Sequence, residues 1–424
     1  MEKTMTHLVN YSGLKGRRVA VTGIGAITPL GKTSEETFRA MVAAESGIAA
    51  LESIDTANLP VKIGAEVKQY NGEDYFTRKE TNQSDRFTQF AIIAGDEAIR
   101  EAGALPYDKD RIGCIVGSGV GGIITLTNET GRLLERGVRA VSPRFIPMMI
   151  SNMAAGELAI RYGFRGTNYV VTTACASATH AIGEAFRQIA GGHIDACLTG
   201  GTEAPITPVA LAGFHNMRAL SRAEDPDTAS LPFDARRSGF VIGEGAVMLC
   251  LEAYESAKAR GAVILAEILG YGATCDAYHM TSPDPEGLGA ARAMALAMAE
   301  AGVTAADVDY INAHGTGTPL NDKFETLAIK TALGEADAHR VLISSTKGVS
   351  GHLLGAAGAI ESLACIYAMR QGVVPPTAGL READPDCDLN YVPLTAVKAE
   401  VNIALSNSLG FGGHNATLCF GKER

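Results

Sequence analysis

Residues 168–190 form one unit that narrows the folds open to this chain. A β-branched run, Val170 to Thr173, leads straight to Cys175 in Tyr-Val-Val-Thr-Thr-Ala-Cys-Ala-Ser-Ala-Thr-His (169–180). Beyond it, Ala178, Ala181, Ile182, Ala185, Phe186 and Ile189 recur at the spacing of one buried helix face. The pattern predicts a strand at 168–173, a tight turn, and a helix over 176–190. It puts the thiol on the first turn of that helix, where unpaired N–H groups and the dipole favour an anion. A cysteine so placed is expected to hold a thiolate near neutral pH and to act as a nucleophile.

The same alternation runs along the chain. Strands are expected at 18–27, 112–116, 196–199, 308–312, 341–345, 401–406 and 415–420, with β pairs at 240–252 and 262–272. Helices are expected at 33–46, 84–102, 152–162, 253–260, 287–301, 322–333 and 353–371. Strands alternating with helices imply a layered α/β fold with largely buried sheets. Val-Val-Thr-Thr-Ala-Cys…Gly-Gly (170–192) is echoed in element order by Leu-Ile-Ser-Ser-Thr-Lys…Gln-Gly (342–372), which suggests a duplicated fold. The reading divides the chain into a polar extension at 1–17, an N-terminal half at 18–261 and a C-terminal half at 262–424.

A net charge of −10, with no Lys/Arg run, argues against a nucleic-acid partner. The eight cysteines are scattered singly, without CxxC pairs, which fits free thiols in a reducing compartment. The N-terminal Met-Glu-Lys-Thr-Met-Thr-His has no apolar core of a signal peptide, and no apolar run approaches a membrane span. A cytoplasmic protein is expected.

Three further motifs supply chemistry. Asn-Ala-His-Gly-Thr-Gly-Thr-Pro (312–319) follows a strand, where α/β proteins place function. It offers His314 and the hydroxyls of Thr316 and Thr318 beside space left by two glycines. Ser-Ser-Thr-Lys-Gly-Val-Ser-Gly-His (344–352) again follows a strand and precedes a Gly/Ala-rich helix. His352 is expected near that helix's N-terminus, which disfavours imidazolium. A neutral imidazole can donate to a developing negative oxygen. Lys347 adds charge nearby, and Glu361, deeper in the helix, can pair with it. In Ser-Asn-Ser-Leu-Gly-Phe-Gly-Gly-His-Asn (406–415), glycines flank Phe411; such a loop can present N–H groups as an oxyanion hole and swing Phe411 as a gate. Residues 117–122 match G-x-G-x-x-G after a strand, but no acidic residue ends a second strand about 20 residues on, so nucleotide binding is rejected.

Together these motifs resemble the β-ketoacyl-[acyl-carrier-protein] synthases of the elongating Cys-His-His type, the synthase II branch in particular. The resemblance runs from Val-Ala-Val-Thr-Gly-Ile-Gly (19–25) to Phe-Gly-Gly-His-Asn (411–415). It implies a thiolase-like α/β fold, duplicated β-α halves in a five-layer α-β-α-β-α arrangement, and a homodimer. It implies decarboxylative Claisen condensation of an acyl-carrier thioester with malonyl carrier, through an acyl-cysteine at Cys175. By the same resemblance His314 and His352 surround the malonyl group and Lys347 and Glu361 form a supporting ion pair. Phe411 is the gate, its N–H joining that of Cys175 in the oxyanion hole. Thr316, Thr318 and Gly412 contact the substrate arm, and Val120 limits the depth of the acyl pocket. Lys79, Arg139 and Arg218 match basic positions that face the acidic acyl carrier protein. No metal or redox cofactor is implied, and the His and Cys residues lack metal-ligand spacing; a structural monovalent cation stays open, and phosphopantetheine arrives on the carrier.

Four relatives by chemistry or fold are weighed. A thiolase would carry a second cysteine in the final glycine loop, where His414 stands. An initiating synthase would carry asparagine in place of His352. A non-catalytic chain-length-factor subunit would lack Cys175. A polyketide ketosynthase of the same Cys-His-His kind shares every motif.

Overall fold

The computed structural model describes residues 16–423. Most of the expected extension, residues 1–15, therefore lies outside the described residues. Arg17 is docked: its guanidinium bonds to Asp195 and to the carbonyl of Ile189.

Ten strands build the sheet system: β1 (Val19–Ile27), β2 (Ile112–Gly117), β3 (Asn168–Val171), β4 (Ala196–Glu203), β5 (Gly245–Ala253), β6 (Ala266–Cys275), β7 (Tyr310–Asn312), β8 (Leu342–Ser344), β9 (Ile403–Gly410) and β10 (His414–Gly421). Their spatial order is β3-β2-β4-β5-β1-β6-β10-β9-β7-β8. Counted within each half, both halves read 3-2-4-5-1. The pairing senses match as well. The first strand of each half pairs antiparallel to the fifth, the fifth antiparallel to the fourth, and the remaining two contacts are parallel. The halves join through a short antiparallel contact of Val19–Val21 with Ala266–Ile268. The faint echo in the sequence is thus a duplication in topology.

Seven helices matter for the site: α1 (Arg86–Ala102), α2 (Met153–Tyr162), α3 (Ser177–Ala190), α4 (Leu288–Ala301), α5 (Pro319–Leu333), α6 (Lys347–Ser350) and α7 (Ala357–Gln371). Helices α1 and α2 cover the outer face of the first half, and α4 with α5 that of the second. Helices α3 and α7 touch each other and strands of their own halves, forming the middle of five layers. A helix enclosed on every side loses the apolar-polar stripe of a surface helix. In α7 every residue from Ala357 to Met369 is buried.

Close packing of sheet on helix repeats at residue level. A side chain on Gly23 or Gly25 of β1 would stand about 2 Å from the carbonyls of Ala98 and Ala94 in α1. One on Gly270 or Gly272 of β6 would meet the carbonyls of Ala297 and Ala293 in α4 just as closely. Glycine on the strand and alanine on the helix let the layers approach in both halves.

Some elements depart from the sequence reading. Residues 240–244 are irregular, and β5 starts only at Gly245. The helix at Ile123–Arg136 was unexpected because it leaves Leu126, Leu133 and Leu134 exposed and so lacks a clear buried stripe. That at Pro208–Asn216 carries a readable signal, Thr207 capping with Pro208 in the first turn. The expected helix 353–371 is broken: Leu354–Ala356 form a separate tight turn before α7.

Candidate active site

Cys175 hangs from the turn between β3 and α3. Ala174 takes a left-handed backbone, φ 50°, so the chain reverses within two residues and Ala176 caps the helix. The thiol therefore precedes the helix rather than sitting in its first turn. The end of β9 presses on this turn, where a side chain on Gly410 would stand 3.3 Å from the Cys175 nitrogen. The Phe411 N–H is directed at the thiol sulfur.

His314 follows β7. Its backbone N–H and that of Gly315 both donate to Glu325 of α5 at 2.8 Å, which pins the loop to the helix beneath it. Lys347, the first residue of α6, is fully buried. Its ammonium donates to the His314 carbonyl (2.5 Å) and forms a buried ion pair with Glu361 of α7, whose other oxygen accepts from Ser408 (3.3 Å). His352 leaves α6 through a bridge to Ile242. The Leu354 N–H donates to its Nδ1 at 3.3 Å, which assigns the proton of the neutral ring to Nε2. That Nε2 stands 3.0 Å from Cys175 Sγ. The ring of Phe240 packs edge-on against His352.

Three distant segments thus meet. One atom each from Cys175, His314 and His352 lies within 4.8 Å of the others, and the two imidazoles are 5.4 Å apart and nearly perpendicular. They border a cavity of about 570 Å³ that opens past Thr316, Thr318, Phe411 and Arg218. The Thr316 and Thr318 hydroxyls lie 2.9 Å apart along its wall.

Burial dominates the electrostatics. It pushes the Cys175 thiol up to about 12, while the Lys347 charge and the Phe411 N–H pull the other way. The expectation of a thiolate near neutral pH, drawn from the helix end alone, is corrected: tertiary desolvation outweighs the local dipole in the resting site. Both imidazoles are held well below 6.5, by burial first and by Lys347 second. His352 sits before a separate turn, so burial rather than the start of α7 keeps it neutral. Neutral N–H groups beside a buried ammonium suit the stabilisation of an oxyanion. Because the folded rings resist protonation, any step they serve keeps its rate from about pH 8 down through 6.5. A rate for such a step that halves near pH 6.5 would contradict this.

The remaining expected residues fall in several places. Val120 is part-exposed and does not line the cavity within one chain. Gly412 is also outside the lining; its N–H donates to the Met280 carbonyl, tying the Phe411 loop to the 276–283 segment that forms one wall. Arg218 stands at the cavity mouth with a left-handed backbone, φ 59°. Lys79 and Arg139 are exposed on short helical turns outside the lining. Residues 117–122 do not form a phosphate cradle. The Gly119 and Val120 N–H groups are spent on the Glu203 carboxylate, which also repels an anion. Sequence reasoning missed Glu203, Glu325 and Phe240. Only Glu203 left a trace, as an acid closing the buried strand β4.

Comparison with known proteins gives one answer over nearly the whole chain. Residues 16–257 match the family model of the β-ketoacyl synthase N-terminal domain, and residues 265–381 that of the C-terminal domain. A 3-oxoacyl-[acyl-carrier-protein] synthase 2 from Synechocystis sp. (strain ATCC 27184 / PCC 6803 / Kazusa) is 47% identical over 414 residues, covering 97% of this chain and 99% of the relative. One from Staphylococcus aureus (strain N315) is 48% identical over 410 residues, covering 96% and 99%. Among solved structures, the ishigamide ketosynthase/chain length factor superposes with a TM-score of 0.90 at 35% identity, covering 96% of this chain and all of that one.

Proposed function

Because the chain belongs to the β-ketoacyl synthase family, we propose that Cys175, His314 and His352 divide its reaction between acyl transfer and decarboxylation. The reaction is the decarboxylative condensation of an acyl-carrier thioester with malonyl carrier, which lengthens a fatty acyl chain by two carbons. It needs no cofactor of the enzyme's own, since phosphopantetheine arrives on the carrier.

Cys175 attacks the acyl thioester. The thiol proton must leave first and is balanced by the proton the departing carrier sulfur takes up; Lys347 and the Phe411 N–H stabilise the resulting thiolate, and His352 Nε2–H donates to the sulfur. The tetrahedral oxyanion rests on the N–H groups of Cys175 and Phe411. Carrier thiol departs and the acyl group stays on sulfur. Malonyl carrier then enters along Thr316 and Thr318. Loss of CO₂ puts negative charge on the thioester oxygen, where the neutral rings of His314 and His352 donate hydrogen bonds. The enolate carbon attacks acyl-Cys175, a new C–C bond forms, and the sulfur leaves as thiolate. Lys347 and Glu361 hold the site from behind, and Phe411 swings to admit each substrate. The observation that carries this reading is the juxtaposition of one sulfur and two neutral imidazoles in a single cavity.

An acidic carrier is recognised by Arg218 at the cavity mouth, with Lys79 and Arg139 further out. A second copy of the chain covers the exposed Leu134, Val138 and Ile146, and Val120 limits acyl depth near that interface. The halves divide between residues 261 and 262. The described cysteines form no disulfide, and no described helix is long and apolar enough to cross a membrane, which fits a cytoplasmic site of action.

The test is a condensation assay with malonyl carrier and a ladder of acyl carriers. Two-carbon extension of straight chains from about C6 to C16 is the expected result, each made through the acyl-enzyme. Inactivity on the whole ladder, with turnover of a specialised starter, would favour a polyketide ketosynthase instead.

A further inference from the structure

Glu203 closes strand β4 and is wholly buried, yet no cation among the described residues pairs with it. Four donors converge on its carboxylate instead. Oε1 accepts from the Ser118 hydroxyl and the Val120 N–H, both at 3.1 Å. Oε2 accepts from the Gly119 N–H at 2.7 Å and the Gly355 N–H at 2.9 Å. Three of these donors belong to the loop after β2; the fourth lies three residues past His352. The two loops touch so closely that a side chain on Gly355 would stand 2.2 Å from the Gly119 nitrogen.

The donor set explains the residue type. Only an acceptor-only group satisfies three N–H groups and a hydroxyl at once, whereas an amide would turn its own N–H against them. Burying an unpaired carboxylate is costly, and desolvation pushes this one up to about 7 against the pull of its four donors. A group kept at such expense is fixing something.

What it fixes is the turn that aims His352. The Gly355 N–H bond anchors the end of the turn, and Leu354 within it takes a left-handed backbone, φ 45°. A leucine stays there only when its surroundings over-determine it. Within the same turn the Leu354 N–H donates to His352 Nδ1, which leaves the ring proton on Nε2, facing Cys175. We propose that Glu203 is the positioning residue for His352, gripping the 352–355 turn against the 118–120 loop so that the ring keeps its donor face toward the reacting centre. The inference rests on the reading of His352 as a hydrogen-bond donor in the malonyl step.

The test is Glu203→Gln in the full-length enzyme, with condensation and malonyl decarboxylation measured separately. Misplaced donors lower both turnover numbers about tenfold to hundredfold. KM for either carrier stays within about threefold, because no contact with the carrier is lost. The decisive arm is the double variant. In a His352→Gln background the Glu203→Gln change alters the residual rate less than about twofold, since it acts through a ring already gone. An equal loss in both backgrounds, or wild-type turnover in Glu203→Gln alone, would overturn the proposal. If His352→Gln by itself keeps full activity, the reading of His352 fails instead, and the two failures are told apart. Should Glu203→Gln not fold, Ser118→Ala removes one donor without adding a group and lowers turnover about twofold to tenfold, again only while His352 is present. Wild-type turnover in that variant would also overturn the proposal.

Discussion

Replacing Cys175 with glutamine lowers condensation by about 10⁴-fold or more while malonyl decarboxylation stays measurable, because the two steps use different atoms of one cavity. Among the described residues, Cys175 is the cysteine that meets His314 and His352. Without it the acyl group has no acceptor. The imidazoles, however, are also anchored by bonds in which Cys175 takes no part. Glu325 and Lys347 fix the His314 loop, and Leu354 fixes His352. Glutamine can place its carbonyl toward the Phe411 N–H that otherwise points at sulfur. The measurement is acyl transfer from labelled acyl carrier beside CO₂ release from malonyl carrier. Condensation at the native rate in this variant would remove the nucleophile from the mechanism.

The second large effect is expected at Lys347. Its ammonium and Glu361 are both buried, and the carboxyl is pushed up by desolvation and held down mainly by that ammonium. Lys347→Met strands the carboxylate with Ser408 as its one remaining side-chain donor. Breaking one partner out of a buried pair costs about 3–5 kcal/mol of stability. It also frees the His314 carbonyl and withdraws the positive charge that favours the Cys175 thiolate, so condensation falls about 10²-fold. The double variant Lys347→Met/Glu361→Met separates the two losses. Apolar replacement of both partners recovers most of the stability, since such swaps are often neutral, but not the rate. Thermal unfolding and a condensation assay on the same samples check this. Recovery of rate along with stability would show that the pair serves folding alone.

Much of this was legible in the sequence because function here sits at strand ends. Val170–Thr173, Tyr310–Asn312 and Leu342–Ser344 are short runs led by β-branched or apolar residues that stop at threonine, asparagine or serine, and each delivers a chemical group within a few residues. The duplication was visible only as a hint. The strand order is set by contacts between residues as distant as Val19 and Ile268, which no local pattern encodes. The protonation state of Cys175 was misread for a related reason. A helix end is a local feature, whereas desolvation depends on how many other segments close over the sulfur, among them β9 and the His352 turn. Glu203 and Glu325 escaped notice because a single acid carries no periodicity; the role of each comes from backbone N–H groups on other elements. The break before α7 was hidden because Leu354–Ala356 keep the composition of the helix that follows.

The order in which the site's parts leave the ribosome follows from where β9 and β10 lie. They follow the other eight strands of this sheet in the chain, yet they occupy the middle of the second half's sheet, and Ser408 and Phe411 complete the surroundings of Glu361 and Cys175. A nascent chain of 400 residues already owns its sulfur and both rings, but not the strand that seats them. The reactive centre is therefore assembled only once β9 has been made, and a nascent chain that lacks it holds no armed thiol to capture acyl groups prematurely.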